Sequence, residues 1–255
     1  TAISVNAVNG VGTSLAAKTL SLTRALPTVP ATLVLTNGVT TTKITDVSKF
    51  IGTTTELTLT TTVTATAAAN SFEWILPAGV NQISGGTWNV ITVNFAGFSG
   101  PDVTSITLGV KSVNGVGSSA TTKTLAVTRK LPAVVAVVTG QIAGICANSS
   151  VAYTITAPAG ALSYNITVPV GSVITSPSNL TNTTNTLSTS DLNFTVNYSS
   201  DFATVATKKI VITSVNNIGT SLTAKSLTLA TAMTVTSITG GTSFTRCDTK
   251  TFTAV

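Results

Sequence analysis

Histidine is absent from this 255-residue chain, cysteine occurs twice, methionine once, and only 8% of residues are charged. Each shortage removes a class of chemistry. Without histidine, the commonest general base and the commonest metal ligand are gone. Two cysteines, Cys146 and Cys247, are too few for a zinc site. The seven acids are Asp46, Glu56, Glu73, Asp102, Asp191, Asp201 and Asp248, and none shows the Asp-x-Asp spacing of calcium loops. Glu56 and Glu73 could lie on adjacent strands, but on a Thr-rich outer face, where a solvated role outweighs a catalytic one. The chain is therefore read as a non-enzyme with no catalytic group, cofactor or metal. Aromatics are also few, at 5%, and do not interleave with the bases. The net charge of +6 is spread from Lys18 to Lys250, with no run longer than Arg129-Lys130 or Lys208-Lys209, so no nucleic-acid partner is expected. No apolar run reaches the ~18 residues of a membrane span, and no insertion is expected. There is no initiator methionine and no basic-then-apolar leader, so the chain is expected to be mature or cut from something longer.

What the chain has instead is apolar alternation, with 43% hydrophobic residues, and Thr, Ser and Asn in place of charge. Such residues suit strands with one wet face, and the regular periodicity excludes disorder. A run from Leu108 to Pro132, built around Asn114-Gly115-Val116-Gly117, recurs as Ile3 to Pro27 and more loosely as Val211 to Thr231. Asn9 and Asn114 stand 105 residues apart, and Asn114 and Asn216 stand 102 apart. A period of about 100 residues marks an array of similar domains.

The boundaries follow from this period. Residues 1–27 read as the C-terminal hairpin of a preceding domain, with Ile3, Val5, Ala7, Leu20 and Leu22 inward. Residues 28–132 and 133–232 read as complete domains, and 233–255 as the opening strands of another. Gly241 and Cys247 fall 101 residues after Gly140 and Cys146, so the chain is expected to be a window on a longer one. In the first complete domain Leu57, Leu59, Val63 and Ala65 alternate with Glu56, Thr58, Thr60, Thr62 and Thr64. Residues 46–52 could form one helical turn. About seven short strands, with turn signals every 8 to 15 residues, predict all-β, immunoglobulin-like Greek-key sandwiches in an extended array. Ser163–Gly171 matches Ser71–Gly79 at an offset of 92, and Val196-Asn197-Tyr198 matches Val93-Asn94-Phe95 at 103. The added residues fall in Ser176–Ser190, read as a longer polar loop. Lys18, Lys123 and Lys225 recur at strand starts, as guards against edge pairing.

One signature runs through both domains. It is carried by Phe72, Trp74, Pro77, Gly79, Val93, Asn94, Phe95, Asn114, Gly117 and Ser119, and again by Tyr164, Pro169, Gly171, Val196, Asn197, Tyr198, Asn216, Gly219 and Ser221. This signature resembles the PKD-like, immunoglobulin-like repeats of giant Bacteroidetes surface proteins. The resemblance implies a type 9 secreted, cell-surface adhesin of the kind that includes SprB-type gliding-motility adhesins. Ile166 stands where Trp74 predicts a Trp, so the second core should be filled differently. The resemblance also implies a cysteine in the Asn-x-x-Gly turn paired to one near the second strand. Val116 and Ile218 occupy that turn here. Equivalent positions in successive domains should lie far beyond the roughly 7 Å Cα limit of a bridge, so Cys146 and Cys247 are expected to be unpaired, unless Cys247 finds a partner beyond the end of the chain.

Gly10-Val11-Gly12 imitates a phosphate loop, but it precedes a strand and not a helix. Trp74, alternating with Phe72 and Leu76, is expected in the core, and Trp88, beside Gly85-Gly86, is the better ligand contact. Three functions are weighed. The first is a structural stalk segment presenting a distal adhesive region, its partners the neighbouring domains of the same longer chain. The others are a carbohydrate-binding module for surface polysaccharide and a self-assembling extracellular filament subunit that pairs with like filaments.

Overall fold

The computed structural model describes residues 2–38, 42–63 and 69–232, with the backbone of Thr234–Val235 and Phe244–Thr245. It forms two compact units. The first comprises Thr1–Thr45, Thr54–Gly97 and Ile106–Val127, and the second Asp46–Thr53, Phe98–Ser105 and Thr128–Val255. No helix occurs among the described residues. Residues 46–52, where a helical turn was expected, form successive tight turns instead, with Phe50 N donating to Val47 O at 2.8 Å and Thr53 N to Phe50 O at 3.1 Å.

The first unit opens with β1 (Ala2–Val5), β2 (Val8–Asn9), β3 (Gly12–Thr13) and β4 (Lys18–Ser21), a hairpin in which Ile3 lies opposite Leu20. There follow β5 (Thr32–Thr36), β6 (Leu57–Thr62), β7 (Ser71–Ile75), β8 (Asn81–Ser84), β9 (Val90–Asn94), β10 (Ile106–Asn114), β11 (Gly117–Ser118) and β12 (Lys123–Val127). One antiparallel sheet runs β5-β6-β9-β8, and the other has β10 flanked by β12, β11 and β7. Period-two alternation turns Leu33, Leu35, Leu57, Leu59, Ile91 and Val93 of one sheet inward, and Phe72, Leu108, Val110, Leu125 and Val127 of the other. Thr61 completes the inward row of β6. Its hydroxyl is satisfied by donating to Thr32 O at 2.6 Å, which is what permits a fully buried threonine there. Val63 follows the strand half-buried, and Thr64 and Ala65 lie outside the described residues.

Ile3, Val5, Ala7, Leu20 and Leu22 are all exposed, because no second sheet covers the β1–β4 hairpin among the described residues, whereas their counterparts Leu108, Val110, Ser112, Leu125 and Val127 are buried. Glu56 and Glu73 are not on adjacent strands: Glu56 leads into β6, and Glu73 lies on β7 in the other sheet.

The second unit repeats the plan with β13 (Val138–Gly140), β14 (Ser150–Ile155), β15 (Ser163–Thr167), β16 (Val173–Thr175), β17 (Thr186–Thr189), β18 (Asn193–Asn197), β19 (Lys209–Val215) and β20 (Lys225–Thr228). A short pair, β21 (Thr234–Val235) with β22 (Phe244–Thr245), follows. The sheets run β13-β14-β18-β16 and β17-β15-β19-β20. Tyr153, Phe194, Val196 and Ile174 of the first pack with Tyr164, Ile166, Ile210 and Ile212 of the second. The stretch read as a polar loop contains β17, which pairs with β15 from Tyr164↔Thr189 to Thr167↔Thr186. Alternating Leu187 and Thr189, both buried, give it an inward face.

Cys146 is half of a disulfide, contrary to the expectation of an unpaired thiol. Cys247 lies outside the described residues. A 101-residue offset in sequence fixes no distance unless the chain only runs onward. Instead it returns to the side of Cys146 after β20. Thr231 bridges Ile145 in parallel, Ile145 N donates to Ala230 O at 3.1 Å, and Ala232 N donates to Ile145 O at 2.9 Å.

Candidate functional site: a repeated tether clasp

The Asn-x-x-Gly motif does two things at once. Asn114 Oδ1 accepts from Val116 N at 2.9 Å and Gly117 N at 3.2 Å, which shapes the turn between β10 and β11. Its Nδ2 meanwhile donates to Ala25 O at 3.0 Å, gripping the tether that leads into the sandwich. Two residues earlier on β10, Ser112 Oγ donates to Thr28 O, a second grip on the same tether. Gly117 has φ +153°, and a Cβ there would lie 3.1 Å from Leu26 Cδ2, so glycine serves both the backbone and the close approach of the tether.

The second unit reproduces each contact. Asn216 Oδ1 accepts from Ile218 N at 2.9 Å and Gly219 N at 3.2 Å, while Nδ2 donates to Lys130 O at 2.9 Å. Ser214 Oγ donates to Ala133 O, and a Cβ on Gly219 would lie 3.2 Å from Leu131 Cδ2. Asn9 makes the turn half again, accepting from Val11 N at 2.9 Å and Gly12 N at 3.2 Å, but Ala7 stands where the two serines stand and has no hydroxyl to give.

Loops of the second unit fix the tether further. Arg129 is buried, its Nη2 lies 2.5 Å from Asp102 Oδ2 and 2.7 Å from Thr104 Oγ1, and Nε donates to Thr104 O at 2.8 Å. The guanidinium also sits 5.0 Å from the centre of the Phe98 ring. Asp102 is held below the usual carboxylate range by the Thr104 backbone N–H first, then the Thr104 hydroxyl and Arg129. Lys130 N donates to Ser48 Oγ at 2.7 Å, Val47 N to Thr128 O at 2.9 Å, and Asn217 Nδ2 to Lys49 O at 2.8 Å.

The other signature residues have structural posts. Pro77 and Gly79 make the turn after β7: Val80 N donates to Pro77 O at 3.1 Å, and Gly79 takes φ +97°. Pro169 and Gly171 repeat this, with Ser172 N to Pro169 O at 3.1 Å and φ +81°. Phe72 and Tyr164 are buried on the inward face. Trp74 is only half-buried, because its indole reaches the sheet edge, where Nε1 donates to Trp88 O at 3.0 Å. Trp88 is 74% exposed. Sequence reasoning passed over Ser112, Ser214 and Arg129. The serines recur two residues before Asn114 and Asn216, and Arg129 precedes Leu131-Pro132 as Arg24 precedes Leu26-Pro27, but each acts on a backbone carbonyl or loop remote in sequence.

Residues 52–127 and residues 131–212 each match the family model of the PKD-like domain. The chain belongs to the PKD-like domain family. Its two sandwiches are immunoglobulin-like. No curated protein matches this PKD-like chain. Solved structures to which it is similar include the D00-D0 domain of Intimin, at 10% identity and TM-score 0.30, over 85% of this chain and 100% of that one. They also include the FN1-FN3 domains of chicken CNTN1, at 13% identity and TM-score 0.24, over 90% of this chain and 77% of that one. A chimeric titin Z1Z2 carrying a KLER peptide from decorin is similar at 10% identity and TM-score 0.27, over 70% and 88%. The fold assignment rests on the family match and the sheet topology.

Proposed function

We propose that this chain is a non-catalytic stalk segment of a large repetitive bacterial surface adhesin, presenting a distal adhesive region. The observation that carries the reading is the clasp. The conserved chemistry between the two PKD-like copies is aimed at the tether, where Asn114 and Ser112 hold Ala25 and Thr28, and Asn216 and Ser214 hold Lys130 and Ala133. A domain whose most repeated polar side chains grip its own lead-in segment is built to be linked in series, with neighbouring domains of the same chain as its partners. An extracellular, cell-surface address is supported by the disulfide at Cys146, since such bonds persist in oxidising compartments. Type 9 secretion and a role in gliding rest on the sequence resemblance to Bacteroidetes adhesins. Mass spectrometry of the native polypeptide, with protease shaving of intact cells, tests the reading. A surface-accessible chain several times 25.7 kDa is expected, and a mature polypeptide of that mass alone would replace the stalk with a self-assembling filament subunit.

Trp88 favours a second reading, a carbohydrate-binding module for surface polysaccharide, because a mostly exposed indole offers a stacking face. That reading requires saturable glycan binding that Trp88→Ala abolishes. The stalk reading requires no such binding.

A further inference from the structure

The two copies differ at one sheet edge. In the second, β15 is covered by β17, and the cover extends one step further, where Val168 N donates to Asn185 O at 2.9 Å and Asn185 Nδ2 to Val168 O at 3.2 Å. In the first copy the corresponding strand is β7, 92 residues earlier, and the connection past it is shorter by about eleven residues. That connection reaches β7 by a single backbone bond, Phe72 N to Thr87 O at 2.8 Å. Successive outward N–H groups on a strand recur every second residue, so those of Trp74 and Leu76 face the same way as that of Phe72. Neither has a backbone partner on this side among the described residues. Exposed Ile75 and Trp88 flank the open stretch, and exposed Glu73 is the one charge on β7.

We propose that the outer edge of β7 is a docking edge for an extended peptide segment of another protein, added antiparallel as a further strand. Such strand addition takes its affinity from main-chain hydrogen bonds and its specificity from alternate side chains. The second copy indicates the chemistry of the occupant, because β17 puts Leu187 opposite Ile166 and Ser188 opposite Asn165. The equivalent places on β7 are Trp74 and Glu73, so the segment carries an apolar residue opposite Trp74 and, by charge complementarity, a basic residue opposite Glu73. The proposal is independent of the stalk reading, since any PKD-like domain with this edge open would show it.

The experiment uses the full chain and synthetic peptides of residues 184–190 with Ser, Lys or Glu at position 188. Trp74 and Trp88, the two tryptophans of the chain, both lie at this edge and report binding by fluorescence, while amide exchange at residues 72–76 reports the new hydrogen bonds. Saturable binding is expected, with exchange at those amides slowed about ten-fold or more at saturation. Affinity should fall in the order Lys, Ser, Glu by about two- to five-fold per step. The surface variant Glu73→Lys should reverse that order, and methylation of the peptide nitrogen at Leu187 should abolish binding. Unchanged exchange with all peptides, or equal binding of the methylated one, overturns the proposal. Self-association of the chain that protects 72–76 without peptide also overturns it, assigning the edge to a second copy.

Discussion

The two PKD-like sandwiches share a topology but not a filling. At matching inward positions, Leu59, Ile91 and Phe95 of the first are replaced by Tyr153, Phe194 and Tyr198 in the second, and half-buried Trp74 corresponds to fully buried Ile166. In the second core Tyr153 stacks on Phe194 at 5.3 Å, and its hydroxyl lies 2.6 Å from that of Tyr198 and donates to Gln141 O at 2.6 Å. Gly140 is what admits the Tyr153 ring, since a Cβ there would run into it. What the copies keep in common is the hydrogen bonding of the Asn-x-x-Gly turn and the tether. Core volume can be refilled in many ways by side chains of suitable total size. A carbonyl at a fixed place needs one donor at a fixed place.

The sharpest way to break the comparison is at the aromatic core. Phe194→Ala should destabilise the second sandwich by about 3–5 kcal/mol and leave the first untouched, read as the downward shift of one of two calorimetric transitions. A common shift of both would mean one cooperative unit. Next comes the clasp. Asn216→Ala should cost the second unit about 1–3 kcal/mol, because the tether carbonyl and two turn amides lose their partner at a buried site. Asn114→Ala, at a more exposed turn, should cost the first less, about 0.5–1.5 kcal/mol. Equal costs would show that burial does not set the strength of the clasp.

Titration sharpens the contrast from both ends. Burial raises the phenols of Tyr153 and Tyr198 above the ordinary 10.0. Their folded values exceed the unfolded ones, so this contribution is whole below pH 10.0 and is lost as pH rises beyond it. The second transition should therefore fall faster than the first in alkali, and Tyr198→Phe should reduce the difference. The smallest effect concerns Asp191, which accepts from Ser178 Oγ at 2.6 Å and Ser178 N at 2.7 Å. Ser178, first through its hydroxyl and then its amide, lowers the Asp191 carboxyl from 3.8 to about 2. Its contribution is present above pH 3.8 and lost as pH falls through about 2, so Asp191→Asn should flatten that part of the acid titration of the second sandwich.

Sequence alone determined the strand-forming stretches, the period and the two copies, because period-two burial and the Asn-Gly and Pro-x-Gly turns are local and each residue type carries its own reason. It gave Asn114, Gly117, Asn216 and Gly219 as important without saying what they touch. Their second partners, Ala25 and Lys130, lie 89 and 86 residues away, and no local pattern encodes a contact across such a separation. The same holds for buried Thr61, for Arg129 on Asp102, and for the disulfide at Cys146. Strand β17 is not legible in the sequence because its flanks are as polar as its core is short, and only the open side of β15 makes pairing worthwhile there. Local alternation writes which face of a strand turns inward. Tertiary structure alone decides which remote backbone groups then lie within a hydrogen bond of one another, since that depends on how the two sheets close over a core many side chains can fill.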